Sequence, residues 1–422
     1  MPATIRVRVD DPERLTNVAI QQAVDEAAAQ GGGVAEVPAG VYWMHNSLFL
    51  RDNVRIVGEE GVVLKKVPSI SSKIVDFLGY GHYEILVAEP EKFEIGMGVH
   101  ILDNNSFGFY TTVATIIAKD GELLFLDTML HHDYNPRIDA RAVTVYPIVA
   151  AYGASNASLE NVTIDGNRAE ETFDLTGCRG GGIFIYRSRS VTVRNVEVKD
   201  CRTDGISFQQ NVDVTVEGCR IHHNTRCGMH PGSGTVRYVM QNNCVHDNGG
   251  SGIFYCLRTT HSICRDNIVE NNAQAGISIG DRDTDHWVVG NRVTGNGQAG
   301  VVFRPPCRIS GDRVRLEGNT IAGNCRREPS AEIDIADGLK QIHIVGNTIE
   351  PDGTAAIRMG ASCEGIYVEG NTIAGRAQQD SDVTGQRDGL SLAAPSEFPP
   401  LGPSALPLDG ARHLNIAKLP KL

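Results

Sequence analysis

Aromatic residues make up only 6% of this 422-residue chain. That is too little to build a large globular core around rings. Basic residues are also outnumbered, 39 Lys and Arg against 51 Asp and Glu, for a formal net charge of −12. A general nucleic-acid binder or a protein of anionic membranes would carry a basic surface, so both classes are disfavoured, although a local basic groove stays open. No run of 18 apolar residues occurs, which excludes a membrane-crossing helix of the usual kind. The first residues, MPATIRVRVDDPERLT, show no basic segment followed by an apolar stretch. No secretory signal is read there, and the expectation is a cytoplasmic protein or a trimmed secreted or periplasmic one. The ten cysteines contain no CxxC pair, which argues against a zinc site. Their even number permits disulfides, but several share repeat positions with Val or Asn, and small buried thiols are the preferred reading.

What the chain has in plenty is repetition. Four segments align without gaps: GCRIHHNTRCGMHP (218–231), NNCVHDNGGSGIFY (242–255), DNIVENNAQAGISI (266–279) and GNRVTGNGQAGVVF (290–303). From Cys219 through Asn243 and Asn267 to Asn291 every step is 24 residues; Asn319 and Asn347 follow at 28, and Asn371 returns to 24. Two positions further on, Ile164, Val198, Ile221, Val245, Val269, Val293, Ile321, Ile349 and Ile373 form an all-apolar column. A second amide column holds Asn224, Asn248, Asn272, Asn296 and Asn324. Short apolar strands alternating with Gly and Asn corners suit stacked parallel strands, because Asn tolerates left-handed corners and can hydrogen-bond to its own copies. Leucine-rich repeats also carry an Asn column, but their Leu pattern is absent.

The expected fold is therefore all-β, a parallel β-helix of roughly 24-residue coils. Residues 16–30 read as an amphipathic capping helix with Ile20, Ala23, Val24 and Ala27 on one face, ended by Gly31-Gly32-Gly33. Residues 1–65 then comprise the cap and first coils. Residues 66–150 break the period and read as an inserted β-rich subdomain or loops, with a hairpin turning at Asp120-Gly121. Regular coils occupy 151–375, and 376–422 is a Pro-rich tail.

The stretch DDPERLTNVAIQQAVDEAAAQGGGVAEVPAGVYWM, followed by G-I-x-I and G-N-x-I coils, resembles the pectate-lyase-like β-helix superfamily over roughly residues 10–65 and 146–375. The resemblance implies a right-handed coil and a carbohydrate substrate. That superfamily includes lyases, glycoside hydrolases, uronan epimerases, fructotransferases and phage tailspikes, so it does not choose a reaction.

Strand alternation sends the second residue after each coil's Gly outward. Copies on neighbouring coils then stand about 4.8 Å apart. The first outward column reads Phe184, Ser207, His230, Phe254, Ser278, Val302, Asp334 and Arg358. The next holds Tyr186, Gln209, Gly232, Cys256, Gly280 and Arg304, and the corner adds Arg187, Gln210, Ser233, Arg258, Asp281, Arg282 and Asp283. His230, in CGMHPGSG, is the expected acid–base group, with Pro231 and the nearby glycines replacing an ordinary strand to admit a ligand. Two of Asp281, Asp283 and Asp285 would serve hydrolysis as an acid pair, or the three would bind Ca²⁺; otherwise no cofactor is expected. A plain polar turn would use the same acids as caps. Arg304 is the expected catalytic carboxylate partner, with Arg258 as its alternate. Tyr186, Arg187, Gln209, Gln210, Phe254, Arg258 and Arg282 are the expected substrate-binding side chains.

The leading expectation is a lyase acting by β-elimination on a uronate-containing poly- or oligosaccharide. A hydrolase using the Asp pair is the alternative, with a C5-epimerase and a non-catalytic, spike-like glycan binder behind it. A uronan-epimerase pattern of the superfamily carries Asp-Pro-His where this chain has His-Pro-Gly. The G-H-G and R-I-K segments of polygalacturonase-like hydrolases are absent. The sequence does not fix the oligomeric state.

Overall fold

The N-terminal helix, Asn17–Ala29, forms where the pattern places it, and Ile20, Ala23, Val24 and Ala27 are its buried face. It stops because Gly31 and Gly32 turn left-handed, at φ 87° and 125°, so their amides reach back to Ala28 O and Ala27 O. A Cβ on Gly32 would lie 2.6 Å from the Asn53 carbonyl oxygen, so no other residue fits. The computed structural model describes residues 3–9, 16–144, 147–174, 178–306, 311–377, 379, 383–385 and 390–391. It divides into two compact units, 1–151 with 159–184 and 197–207, and 152–158 with 185–196 and 208–422.

The first unit holds the capping helix and early coils. Parallel strands Ala3–Arg6, Gly33–Val37 and Val54–Gly58 pair in sequence, as do Gly40–Met44, Val62–Lys66, Thr163–Asp165 and Glu197–Lys199. The aperiodic stretch builds a separate six-stranded sheet from Ser71–Lys73, Arg141–Val143, Gly98–Leu102, Thr112–Asp120, Leu123–Leu126 and Glu84–Leu86. All its pairings are antiparallel. Its hairpin closes at Asp120–Leu123 over Gly121, at φ 58°. Ile85, Phe93, Val99, Ile101, Ile116 and Leu124 form its own apolar core.

The second unit is a parallel β-helix with three strands per coil. One sheet runs from Arg189–Arg194 through Val212–Glu217, Val236–Gln241 and Thr260–Arg265 to Thr284–Val289 and beyond. The second contains Arg220–His222, Cys244–His246, Ile268–Glu270 and Arg292–Thr294. The third contains Met229–Gly232, Ile253–Phe254, Ile277–Ile279 and Val301–Phe303. Ile221, Val245, Val269, Val293, Ile321 and Ile349 are fully buried, as the apolar column requires. Strands Val383–Gly385 and Leu390–Ser391 continue the pairing into the segment read as a tail. Residues 392–422 lie outside the described ones.

Both amide columns form ladders. The Asn267 side-chain oxygen accepts from the amide and Nδ2 of Asn243 at 3.0 and 2.9 Å. Its Nδ2 donates to Met240 O and to Asn291 at 2.9 Å each. The second ladder passes from Asn224 through Asn248, Asn272 and Asn296 to Asn324. It ends on Glu332, whose carboxylate accepts from Asn324 N and Nδ2 at 3.0 and 2.6 Å. Each amide satisfies buried backbone groups at a corner, where leaving one unpaired would cost about 1–3 kcal/mol. No disulfide joins any two of the nine described cysteines; Cys307 lies outside the described residues.

Candidate functional site

All eleven expected site residues fall in the second unit, on the third sheet and the corner after it. Met229, Ile253, Ile277 and Val301 point inward at 1% exposure or less. His230, Phe254, Ser278 and Val302 alternate with them. Phe184 and Ser207, in the first unit, are instead fully buried, so the open outward column expected to start at them does not.

The segment around His230 is an ordinary strand, Met229–Gly232, rather than the glycine-opened gap that its composition suggests. Pro231 fits because its carbonyl, which it keeps, accepts from Cys256 N at 2.8 Å. Gly232 makes room for a side chain, not for a ligand: an added Cβ would meet Gln209 Oε1 at 2.5 Å. That packing lets Gln209 Nε2 donate to His230 O at 3.1 Å. Gln209 is therefore buried and supports the strand.

Phe254 joins the two candidates on either side of it. The His230 ring meets it edge-on, with centroids 5.3 Å apart at 86°. The Arg304 guanidinium covers its ring at 4.1 Å, a cation–π distance. Arg304 is held further by Ser278 Oγ and by Tyr255 O, the latter at 2.6 Å. Beneath it Gly280 leaves the space that the guanidinium fills, since a Cβ there would lie 1.8 Å from Nη2 and would displace it. Burial lowers the Arg304 pKa, and Asp283 at 3.9 Å works against that. His230 is 8% exposed and the Arg304 side chain 27%, so the guanidinium is the more open of the two.

Asp283 does not stand beside Asp281 as a second surface acid. It is fully buried. Its Oδ1 accepts from Thr259 N and Oγ1 at 2.9 Å each, and its Oδ2 accepts from Gly280 N at 3.0 Å. Burial raises its pKa, while Thr259 and Arg304 oppose this. It belongs to a third polar column at the corner, which sequence reading missed: Ser188, Asn211, Thr235, Thr259 and Asp283. In it, Ser188 N donates to Asn211 Oδ1 at 2.8 Å and Asn211 N to Thr235 Oγ1 at 3.3 Å. Residue type changes at almost every coil, so the only signal was the spacing of small polar residues.

Below Asp283, inside the coil, Thr259 Oγ1 lies 3.4 Å from His286 Nε2, and Ser262 Oγ lies 2.8 Å from His286 Nδ1. Burial pushes the His286 imidazole down to about 3.

The remaining candidates separate into small groups. Arg187 lies over the Tyr186 ring at 4.9 Å and donates to Gln210 Oε1 at 3.1 Å. Arg282 pairs with Asp281 at 2.8 Å. Arg258 is exposed at a left-handed corner, φ 64°. Asp285 is gripped by Arg313 through two bonds of 2.6 and 2.8 Å. The three alternating acids thus have three different partners, and among the described residues no group of three or more His, Cys, Asp or Glu is placed to hold a metal ion.

Comparison with known proteins agrees on the architecture. The family described as "Right handed beta helix region" matches residues 147–304. No curated protein matches the chain. Among solved structures, the A-module of Azotobacter vinelandii mannuronan C-5 epimerase AlgE6 is similar with a TM-score of 0.58 at 19% identity, covering 93% of this chain and 100% of that one. A family 28 exopolygalacturonase from Yersinia enterocolitica gives 0.55 at 14%, covering 91% and 77%. A DFA-IIIase from Arthrobacter chlorophenolicus A6 gives 0.54 at 12%, covering 88% and 84%. At these identities the likeness is one of fold.

Proposed function

We propose that this chain is a carbohydrate-active enzyme that cleaves a uronate-containing poly- or oligosaccharide by β-elimination. The observation that carries this is the placement of an imidazole and a fixed guanidinium on one aromatic ring, His230 and Arg304 on Phe254. A guanidinium fork suits a carboxylate. Arg304 would neutralise the uronate carboxylate and so acidify the adjacent C5–H. His230 would take that proton as general base. The electron pair left at C5 forms the C4–C5 double bond while the bond from C4 to the linking oxygen breaks. The departing oxygen then receives a proton, which leaves one unsaturated and one reducing end.

Hydrolysis by an acid pair fits less well, because Asp283 is buried and accepts three hydrogen bonds. Epimerisation shares the first proton transfer, and two Azotobacter vinelandii mannuronan C-5 epimerase modules are among the similar structures, so the test separates the two outcomes. The protein is incubated with mannuronan and polygalacturonate, with and without a calcium chelator. Ultraviolet absorbance of the new conjugated double bond, reducing ends and C5 exchange with solvent deuterium are followed. Elimination gives the first two together. Reducing ends alone would indicate hydrolysis, and exchange alone epimerisation. Arg304→Ala and Gly280→Ala are expected to lower kcat/KM about 10²–10³-fold, as loss of a preorganised charge contact does. Full activity in Arg304→Ala would remove Arg304 from the mechanism.

A further inference from the structure

The inserted antiparallel sheet of the first unit displays rings that its core does not use. Phe107 is 63% exposed, Tyr110 55% and Tyr80 65%. Apolar surface of this size costs free energy in water, and rings standing in solvent on an ordered support mark a contact site. The support is built for the purpose. Asp103 is buried and accepts from Ser106 Oγ at 2.8 Å, from Asn105 N at 2.9 Å and from Asn135 N at 3.1 Å. Tyr110 N closes back on Phe107 O at 3.0 Å, and Thr111 Oγ1 on Gly108 O at 3.1 Å. From beneath, the Arg179 guanidinium lies 5.3 Å from the Phe109 ring and donates to Thr111 O at 2.9 Å.

The rings themselves are coupled in a row. Phe107 and Tyr110 have centroids 5.7 Å apart at 56°. Tyr110 meets His132 edge-on at 5.7 Å, and His132 meets the buried Tyr134 in the same way. The Tyr80 backbone is held beside His132, its amide donating to Asp133 Oδ1 at 2.7 Å. The same loops carry hydrogen-bonding groups: Asn104, Asn105 and Asp133 are exposed.

We infer that Phe107, Tyr110 and Tyr80 form a carbohydrate-binding platform, on which sugar rings of a glycan chain stack while Asn104, Asn105 and Asp133 take their hydroxyls. Ring faces suit the C–H faces of a sugar, and exposed amide and carboxylate groups suit its hydroxyls. A protein partner would need a continuous apolar centre with charge kept to the rim, whereas here the exposed Asn104, Asn105 and Asp133 share the loops that carry the rings. The inference rests on the glycan-active reading above, but it concerns holding the polymer, not the reaction.

The test uses the full chain in affinity electrophoresis through gels containing mannuronan, polygalacturonate or inulin, alongside turnover of a short uronate oligomer. The double substitution Phe107→Ala with Tyr110→Ala is expected to weaken retardation by one of the polymers about tenfold or more, with oligomer turnover unchanged. Arg304→Ala is expected to lose turnover and keep most of the retardation. Retardation equal to wild type in the double variant overturns the platform while leaving the Arg304 assignment standing. Loss of retardation in the double variant with full turnover in Arg304→Ala does the reverse. Wild type retarded by no polymer overturns the platform outright. A sedimentation dimer that the double variant dissolves would also overturn it, in favour of contact with a second copy.

Discussion

The coils of the second unit and the irregular part of the first bury polar groups in opposite ways. The coils use one device many times: Asn over Asn, each oxygen accepting from the coil before. The irregular part of the first unit uses unlike pairs instead. Lys66 pairs with Glu171 at 2.5 Å across 105 residues of sequence, both side chains nearly inaccessible. Arg179 meets His131 at 2.9 Å, and Tyr134 shares a hydrogen bond with Thr112 at 2.7 Å. A repeated amide is cheap to specify, since it is neutral and satisfies donor and acceptor together. A buried ion pair carries a desolvation cost that its partner must offset.

Four measurements would break or sharpen that contrast. Glu171→Ala leaves the Lys66 ammonium buried, and chemical denaturation should report a loss of about 4 kcal/mol. Replacing both, Lys66→Met with Glu171→Met, should return stability to within about 1 kcal/mol of wild type; a double variant as weak as the single one would mean that the pair is irreplaceable.

In the ladder no such rescue exists. Asn272→Ala strands a donor or acceptor on both neighbours and should cost about 3 kcal/mol, read from the urea midpoint at constant slope. Loss below about 1 kcal/mol would show that water fills the corner.

Acidification tests the interior beneath Asp283. His286 is held down to about 3 by burial, below the 6.5 of an unfolded histidine. The unfolded chain therefore binds the extra proton first as pH falls, so stability is full above pH 6.5 and declines below it. By pH 5 the loss from this group should be about 2 kcal/mol. His286→Gln should flatten that part of the slope whatever its effect on absolute stability. An unchanged slope would show that His286 does not carry it. The smallest effect belongs to the surface pair Arg237–Asp213, both bonds 2.7 Å. Removing Arg237 should change stability by about 0.5 kcal/mol, less in high salt.

Repetition also decided what could be read in advance. The apolar column from Ile164 to Ile373 is buried at 2% exposure or less throughout, and its spacing alone revealed the coil. The capping helix was equally plain, because four small apolar residues and a glycine run define it. Site residues were legible as positions but not as roles. His230 and Phe254 share one column and Arg304 stands in the next, as spacing indicated. Asp283 looked like one acid of a pair because its column changes chemistry from Ser188 to Asn211 to Thr235. Gly232 looked like an opening because composition cannot show that the Gln209 side chain fills it. The exposed rings of Phe107 and Tyr110 belong to no period, and no spacing could have singled them out.

Glu332 has a consequence for how such a chain can grow. Each Asn both receives and passes on a hydrogen bond, so a coil copied between Asn224 and Asn324 would find its amide accepted above and below. An ionised carboxylate receives without passing on. In that corner Glu332 acts as a stop codon does in a message. Duplication upstream of it lengthens the stack in register. Duplication of Glu332 itself would set a second terminator against the first, two buried carboxylates that could face each other only by sharing a proton.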